Sequence, residues 1–180
     1  MTMRFLSVSL LVFTLSVFFL LNRCQNPVVS ASRDFRWLIF LPEVHDQPII
    51  YSIDSLIFIG KPLDAISLAG LSDHIPEGVY QTYLKSRLLE ANTMSGMENR
   101  ELYEDVISQT AVSASVQFVR DYTLEYYNSR FHPDKCDFKK IGILVEKASG
   151  PYFRAKAMNL KAFWFKEIKF NMDSSWHWYK

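Results

Sequence analysis

Two short groups of residues combine side chains that could do chemistry. His132 and Cys136 are four positions apart, and a cysteine thiolate becomes a nucleophile when a nearby base lowers its pKa. Glu43, His45 and Asp46 offer carboxylate and imidazole groups, which suit zinc or calcium. However, no third residue orients the first pair, and side chains at i and i+2 diverge in a short turn. We therefore expect a structural cysteine, a solvated polar turn, no metal and no cofactor.

Motifs that would identify an enzyme are absent from the sequence. It has no Gly-x-Ser-x-Gly elbow, no phosphate-binding glycine loop, no Cys-x-x-Cys and no His-Glu-x-x-His. Paired carboxylates of the glycosidase type have no fixed spacing, so an enzyme is not excluded. The sequence favours a protein that binds another protein, as an inhibitor, an immunity-type protein or an assembly factor. A small hydrolase that uses Glu and His groups is the alternative.

The C-terminal segment is the candidate binding surface. Between positions 163 and 179 there are seven aromatic residues, interleaved with lysines. Aromatic side chains anchor interfaces, but they also fill cores, so about half of them are expected to face inward. The residues expected to bind the partner are Lys161, Trp164, Lys166, Lys169, Trp176 and Trp178.

Charge divides the chain into two parts. Residues 32–134 contain eight basic and 15 acidic residues, a net charge of −7, whereas residues 135–180 contain ten and four, a net charge of +6. One interpretation is that acidic helices pack beside a basic sheet and neutralise it. The other is that the basic segment binds an acidic protein, an anionic lipid or a glycan. Nucleic acid is not expected as a partner of an exported domain with a nearly neutral total charge.

The first 31 residues predict export or membrane attachment. An apolar run from Phe5 to Leu21 follows the single charge of Arg4, and Val29-Ser30-Ala31 has the small residues that a signal peptidase recognises. The run is slightly long for a signal peptide and at the lower limit for a membrane span. A cleaved signal, an uncleaved anchor, and a reversed anchor or buried helix remain open. We expect residues 32–180 to form one exported domain in the periplasm or cell envelope.

Hydrophobic patterns divide that domain into strands, then helices, then strands. Apolar runs bounded by Pro and Gly predict strands at Arg36–Leu41 and Ile49–Ile59, joined by a hairpin turn at Pro42–Pro48. Similar patterns predict C-terminal strands at Ile141–Val145, Phe153–Ala157 and Lys161–Phe170.

The middle third is predicted to be helical. One helix extends from Pro76 to Asn92, and Ser95–Glu98 has the pattern of a capping box that opens a second, long helix reaching Arg130. The residues between Ser108 and Ser115 can kink or split that helix. Together these elements predict an α+β fold, in which two helices pack on one face of a mainly antiparallel sheet.

Overall fold

Helices alone build the part of the chain that the structure describes. The computed structural model describes residues 44, 47–71, 78–110, 113–148 and 150–169. These residues belong to Leu38–Lys180, the second of the two units into which the chain divides; the first is Met1–Trp37. Helices account for 83% of the described part, and no strand occurs in it.

Seven α-helices follow one another in these ranges. They are α1 Pro48–Phe58, α2 Pro62–Gly70, α3 Val79–Met94, α4 Arg100–Ser108, α5 Ala114–Phe131, α6 Phe138–Lys147 and α7 Pro151–Phe163. A 3-10 turn, Pro133–Lys135, follows α5, and a π-helical turn, Trp164–Ile168, continues α7.

The longest helices, α3 and α5, form the centre and pack against each other. Helices α1 and α2 pack together on α3, α4 contacts both central helices, and the pair α6–α7 packs on α5. Helix α3 is buried around most of its circumference, including polar and charged residues such as Arg87, Glu90 and Asn92. These residues must find partners inside the protein, because burying an unpaired polar group is costly.

Prolines and polar caps determine where the helices begin. Pro48, Pro62 and Pro151 lie in the first turns of α1, α2 and α7, where a missing backbone N–H costs no hydrogen bond. The side chains of Asn99 and Ser113 accept hydrogen bonds from the backbone N–H three residues later, at 3.0 Å and 3.2 Å. Each cap satisfies an N–H group that would otherwise lack a partner at the start of α4 or α5.

The predicted α+β fold is wrong, because the predicted strands that can be located are helical. Ile49–Ile59 corresponds to α1, and Ile141–Val145 lies within α6. Phe153–Ala157 lies within α7, and Lys161–Phe170 covers the end of α7 and the π-helical turn, with position 170 outside the described residues. The strand at Arg36–Leu41 and most of the hairpin turn also fall outside them.

The error has a physical cause. Short apolar runs rich in β-branched residues are ambiguous between a strand and a buried helix. The buried residues Ile50, Ile53 and Ile57 are spaced by three and four positions, and so are Phe153, Ala157 and Leu160, which is helical spacing. Pro48 and Pro62, which the prediction takes as strand boundaries, begin helices instead.

The prediction for the middle third is confirmed in outline. Helix α3 lies close to the predicted boundaries Pro76 and Asn92, and the predicted long helix is split between Ser108 and Ser113. The predicted capping box at Ser95–Glu98 does not form. The hydroxyl of Ser95 donates a hydrogen bond of 3.0 Å to a carbonyl oxygen in the last turn of α3, and α4 begins at a different cap.

Candidate functional site

Four charged side chains from three helices meet in the interior. Asp54 comes from α1, Arg87 and Glu90 from α3, and Lys156 from α7. We call these four residues the ionic cluster. The first three are at most 1% exposed, and the Lys156 side chain is 16% exposed.

Each carboxylate of the ionic cluster is engaged at both oxygens. The Arg87 Nε donates to Asp54 Oδ1 at 2.6 Å, and the Tyr83 hydroxyl donates to Asp54 Oδ2 at 2.7 Å. The Arg87 Nη1 donates to Glu90 Oε2, and the Lys156 ammonium pairs with Glu90 Oε1. Charge-assisted hydrogen bonds of this kind reduce the cost of removing four charges from water, although Arg87 Nη2 has no hydrogen-bond partner among the described residues.

Helical spacing brings these groups together. Tyr83, Arg87 and Glu90 are separated by four and three positions, so they lie along one face of α3. On α7, Tyr152 precedes Lys156 by one turn, and Lys156 Nζ donates to the Tyr152 hydroxyl at 3.3 Å. Lys156 therefore has both a carboxylate and a phenolic hydroxyl beside its amine.

Burial shifts the proton affinities within the ionic cluster. It raises the pKa of Asp54, although Arg87 and the Tyr83 hydrogen bond act in the opposite direction. It lowers the pKa of Lys156 well below the ordinary value, and Arg87 adds to this effect. Because Arg87 stays charged, it and the Asp54 carboxylate form one neutral pair. The second pair is Glu90 and Lys156, and the lowered pKa of Lys156 favours the neutral amine.

A cleft of about 290 Å³ opens beside Lys156. Its lining comes from α3, α5 and α7 and includes Glu90, Tyr122, Tyr126, Arg130, Lys156 and Phe163. The Arg130 guanidinium carbon lies 4.9 Å from the Phe163 ring centre, and Lys156 Nζ lies 5.3 Å from the Tyr122 ring centre. Both distances are typical of cation–π contacts. The cleft thus combines aromatic walls with two cations and one carboxylate.

No protein-family model, curated protein or solved structure matches this chain. Its function is therefore inferred from its own residues. Within the described ranges, no helix has both the length and the hydropathy needed to cross a membrane.

The aromatic residues predicted to bind a partner divide into two groups. Trp164, in the π-helical turn, is only 9% exposed, and its ring stacks on Phe138 of α6 with ring centres 4.3 Å apart. Phe165 packs edge-on against the same two rings. The accessible part of Trp164 is therefore small. Trp176 and Trp178 lie outside the described residues.

Of the three predicted lysines, Lys161 lies on α7, Lys166 lies in the π-helical turn, and Lys169 follows that turn directly. Lys161 Nζ is 5.3 Å from the Phe138 ring centre, and Lys169 Nζ is 5.3 Å from the ring centre of Trp164. Lys166 pairs with Glu167 at 2.9 Å, and both side chains are about half exposed. None of these lysines lines the cleft.

Cys136 and His132 each contact a glutamate residue, Glu125 and Glu98 respectively. The Cys136 sulfur lies 3.9 Å from the backbone oxygen of Glu125, and burial raises the pKa of the Cys136 thiol to about 12. His132 Nε2 is instead 3.3 Å from a carboxylate oxygen of Glu98. A nucleophilic thiol needs a lowered pKa, which this environment does not provide.

The described residues contain no group of three His, Cys, Asp or Glu side chains that could hold a metal ion. Glu43, His45 and Asp46, the candidate ligands in the sequence, lie outside that part of the chain.

Sequence analysis missed the ionic cluster, although a signal was present. Asp54 is the one charged residue of an apolar run, and Lys156 lies between two alanines in a segment with buried residues at helical spacing. A single charge in a buried segment implies a buried partner, since charged residues are almost never buried unpaired. The sequence does not say which residues are those partners.

Proposed function

We propose that this chain is an exported or membrane-tethered binding protein of the cell envelope that binds an acidic protein through a basic surface on α6. This surface consists of Lys139, Ile143 and Lys147, which follow one another at intervals of one helical turn. All three are exposed, and Ile143 is 46% exposed despite its apolar side chain. The observation that carries the proposal is this apolar side chain placed between two lysines.

Charge supports the same assignment. Residues 135–169 contain nine basic and three acidic residues, and α6 and α7, which carry most of them, pack side by side. Lys140 pairs with Glu125 of the acidic part at 3.6 Å, whereas Lys139 and Lys147 have no ion pair within the described ranges. Ion pairing with the acidic part of the chain therefore leaves the charges of Lys139 and Lys147 available to steer an acidic partner.

A hydrolase is less well supported by the described residues. His132 is the one histidine among the described residues. It contacts the half-exposed Glu98, and neither residue lines the cleft. We therefore place the binding function first.

The α6 surface can be tested by charge reversal at matched sites. The full chain and its Lys139→Glu/Lys147→Glu variant are used to capture partners from an envelope extract, and the captured protein is then purified for affinity measurements. Lys61→Glu/Arg100→Glu is the control, because it changes net charge equally at exposed positions outside α6. We expect the α6 variant to bind at least about tenfold more weakly, with a reduced salt dependence, and the control to bind like wild type.

Equal binding by both variants would remove the α6 surface from the proposal. Ile143→Ser provides a second measurement without a change of charge, and it should lower affinity if the side chain is buried in the complex. A separate experiment tests the location: a phosphatase fused after residue 40 should be active outside the cytoplasm. Activity of a cytoplasmic reporter at the same junction, with an inactive phosphatase, would contradict export.

A further inference from the structure

We propose that the cleft beside the ionic cluster is a carbonyl-binding site, in which the Lys156 amine forms a reversible imine with a small aldehyde or keto compound that carries an anionic group. Arg130 is the counter-ion of that group. The site is separate from the α6 surface and does not depend on the binding function.

Position is the first support for this site. Lys156 lines an open cleft while its Nζ contacts the Glu90 carboxylate and the Tyr152 hydroxyl. An amine that attacks a carbonyl carbon needs a base to accept its proton and an acid to protonate the departing oxygen. Glu90 can perform both steps in turn, and the Tyr152 hydroxyl can hold the amine in place.

The charges of the ionic cluster support the same chemistry. Glu90 takes one proton from the Lys156 ammonium, which leaves a neutral amine with a free electron pair. That pair forms a bond to the carbonyl carbon, and the carbonyl oxygen gains a proton from the same nitrogen. Glu90 then returns its proton to this oxygen, which leaves as water while the C=N bond forms. The product is a protonated imine beside a carboxylate, so the net charge of the ionic cluster is unchanged.

Arg130 accounts for the anionic part of the ligand. Its guanidinium rests against Phe163 and Tyr126, and no acidic side chain pairs with it in the described part of the chain. An arginine on an aromatic wall can bind a carboxylate or phosphate through two parallel hydrogen bonds. The cleft volume of about 290 Å³ lies at the small end of ligand pockets, which favours a small molecule.

Reductive trapping tests the proposal on the full chain. The protein is incubated with glyoxylate and sodium cyanoborohydride at neutral pH, and the modified lysines are identified by peptide mass spectrometry. We expect a single rapid adduct on Lys156, formed at least about tenfold faster than adducts on the exposed Lys139 and Lys147, since each unit of lowered pKa gives tenfold more neutral amine. Equal rates at the three lysines would overturn the proposal, and this comparison needs no variant.

Two variants test the individual roles. Arg130→Gln should slow trapping of glyoxylate but not of propionaldehyde, which is neutral, and Arg120→Gln on the same helix should affect neither. An equal effect of Arg130→Gln on both aldehydes would overturn its role as counter-ion. Glu90→Gln should slow both reactions while circular dichroism shows an unchanged helical content. An unchanged trapping rate in folded Glu90→Gln would overturn the proton-transfer step.

Discussion

Replacing Arg87 with Met measures how much the ionic cluster contributes to folding. Met has a similar length but no charge, so Arg87→Met removes the hydrogen bonds to Asp54 and Glu90. Hydrogen bonds to charged groups contribute about 1.5–3 kcal/mol each, which gives about 3–6 kcal/mol for two. Breaking a buried ion pair by removing one partner costs about 3–5 kcal/mol. We therefore expect Arg87→Met to lower the free energy of unfolding by about 3–5 kcal/mol.

A second substitution distinguishes the loss of the Arg87–Asp54 attraction from the cost of leaving the Asp54 charge buried without Arg87. Asp54→Asn removes the negative charge while its remaining amide oxygen can still accept the Tyr83 hydrogen bond. In Arg87→Met/Asp54→Asn, Glu90 and Lys156 remain as a neutral pair. The double variant should therefore cost at least about 2 kcal/mol less than the sum of the single variants, because contacting buried charges are not additive.

The assay is urea unfolding at neutral pH, followed by circular dichroism. Arg100→Met is the matched control, since Arg100 pairs with Glu104 at 2.9 Å but is 80% exposed, and exposed helical pairs contribute only about 0.3–0.5 kcal/mol. An Arg87→Met variant as stable as Arg100→Met, or additive single and double variants, would refute the reasoning. If Arg87→Met does not fold, Tyr83→Phe removes one hydrogen bond to Asp54 and tests the same network more mildly.

Three further predictions concern residues outside the ionic cluster. Because burial raises the Cys136 pKa to about 12, iodoacetamide at pH 8 should modify Cys136 far more slowly in native than in urea-unfolded protein, as measured by peptide mass spectrometry, and equal rates would contradict a raised thiol pKa. Burial also raises the Glu125 pKa above its ordinary value, so the native state binds more protons than the unfolded state in the pH range between the two pKa values. As the pH rises through this range, the free energy of unfolding of wild type should fall relative to that of Glu125→Gln, by at most about 1.4 kcal/mol per pH unit. The same pH dependence of urea unfolding in both proteins would contradict this. Deleting Trp176–Lys180 should weaken partner binding with little change in melting temperature, whereas a sharp drop in melting temperature would assign this tail to the core.

The sequence predicts the central helices because their signals act locally. Helix α3 and the split between α4 and α5 follow from apolar spacing, the absence of Gly and Pro, and a serine-rich break. The short segments at both ends also have apolar residues at helical spacing, but short runs rich in β-branched residues are equally compatible with strands. In α1 and α6, β-branched residues favour a strand, and the helical state is stabilised by burial against neighbouring helices.

The candidate site is harder to predict than the fold elements. Asp54 and Arg87 are 33 positions apart, and Lys156 is a further 69 positions along the chain. Their meeting depends on how α1, α3 and α7 pack, which local patterns do not specify. Helical spacing places Tyr83, Arg87 and Glu90 on one face of α3, but it does not identify them as the partners of Asp54 and Lys156.

Arg87 also provides a test that links stability to the proposed chemistry. Its charge is among the causes that lower the pKa of Lys156, while Asp54 acts in the opposite direction. In a folded Arg87→Met variant, Asp54 would lack its countercharge, and both carboxylates would favour the ammonium form of Lys156. We therefore expect slower trapping of glyoxylate and of propionaldehyde by Arg87→Met, measured by the same peptide mapping, even where urea unfolding shows that the variant is fully native. Unchanged trapping at Lys156 would show that Arg87 acts on folding alone, and that the amine does not depend on the charge balance of the ionic cluster.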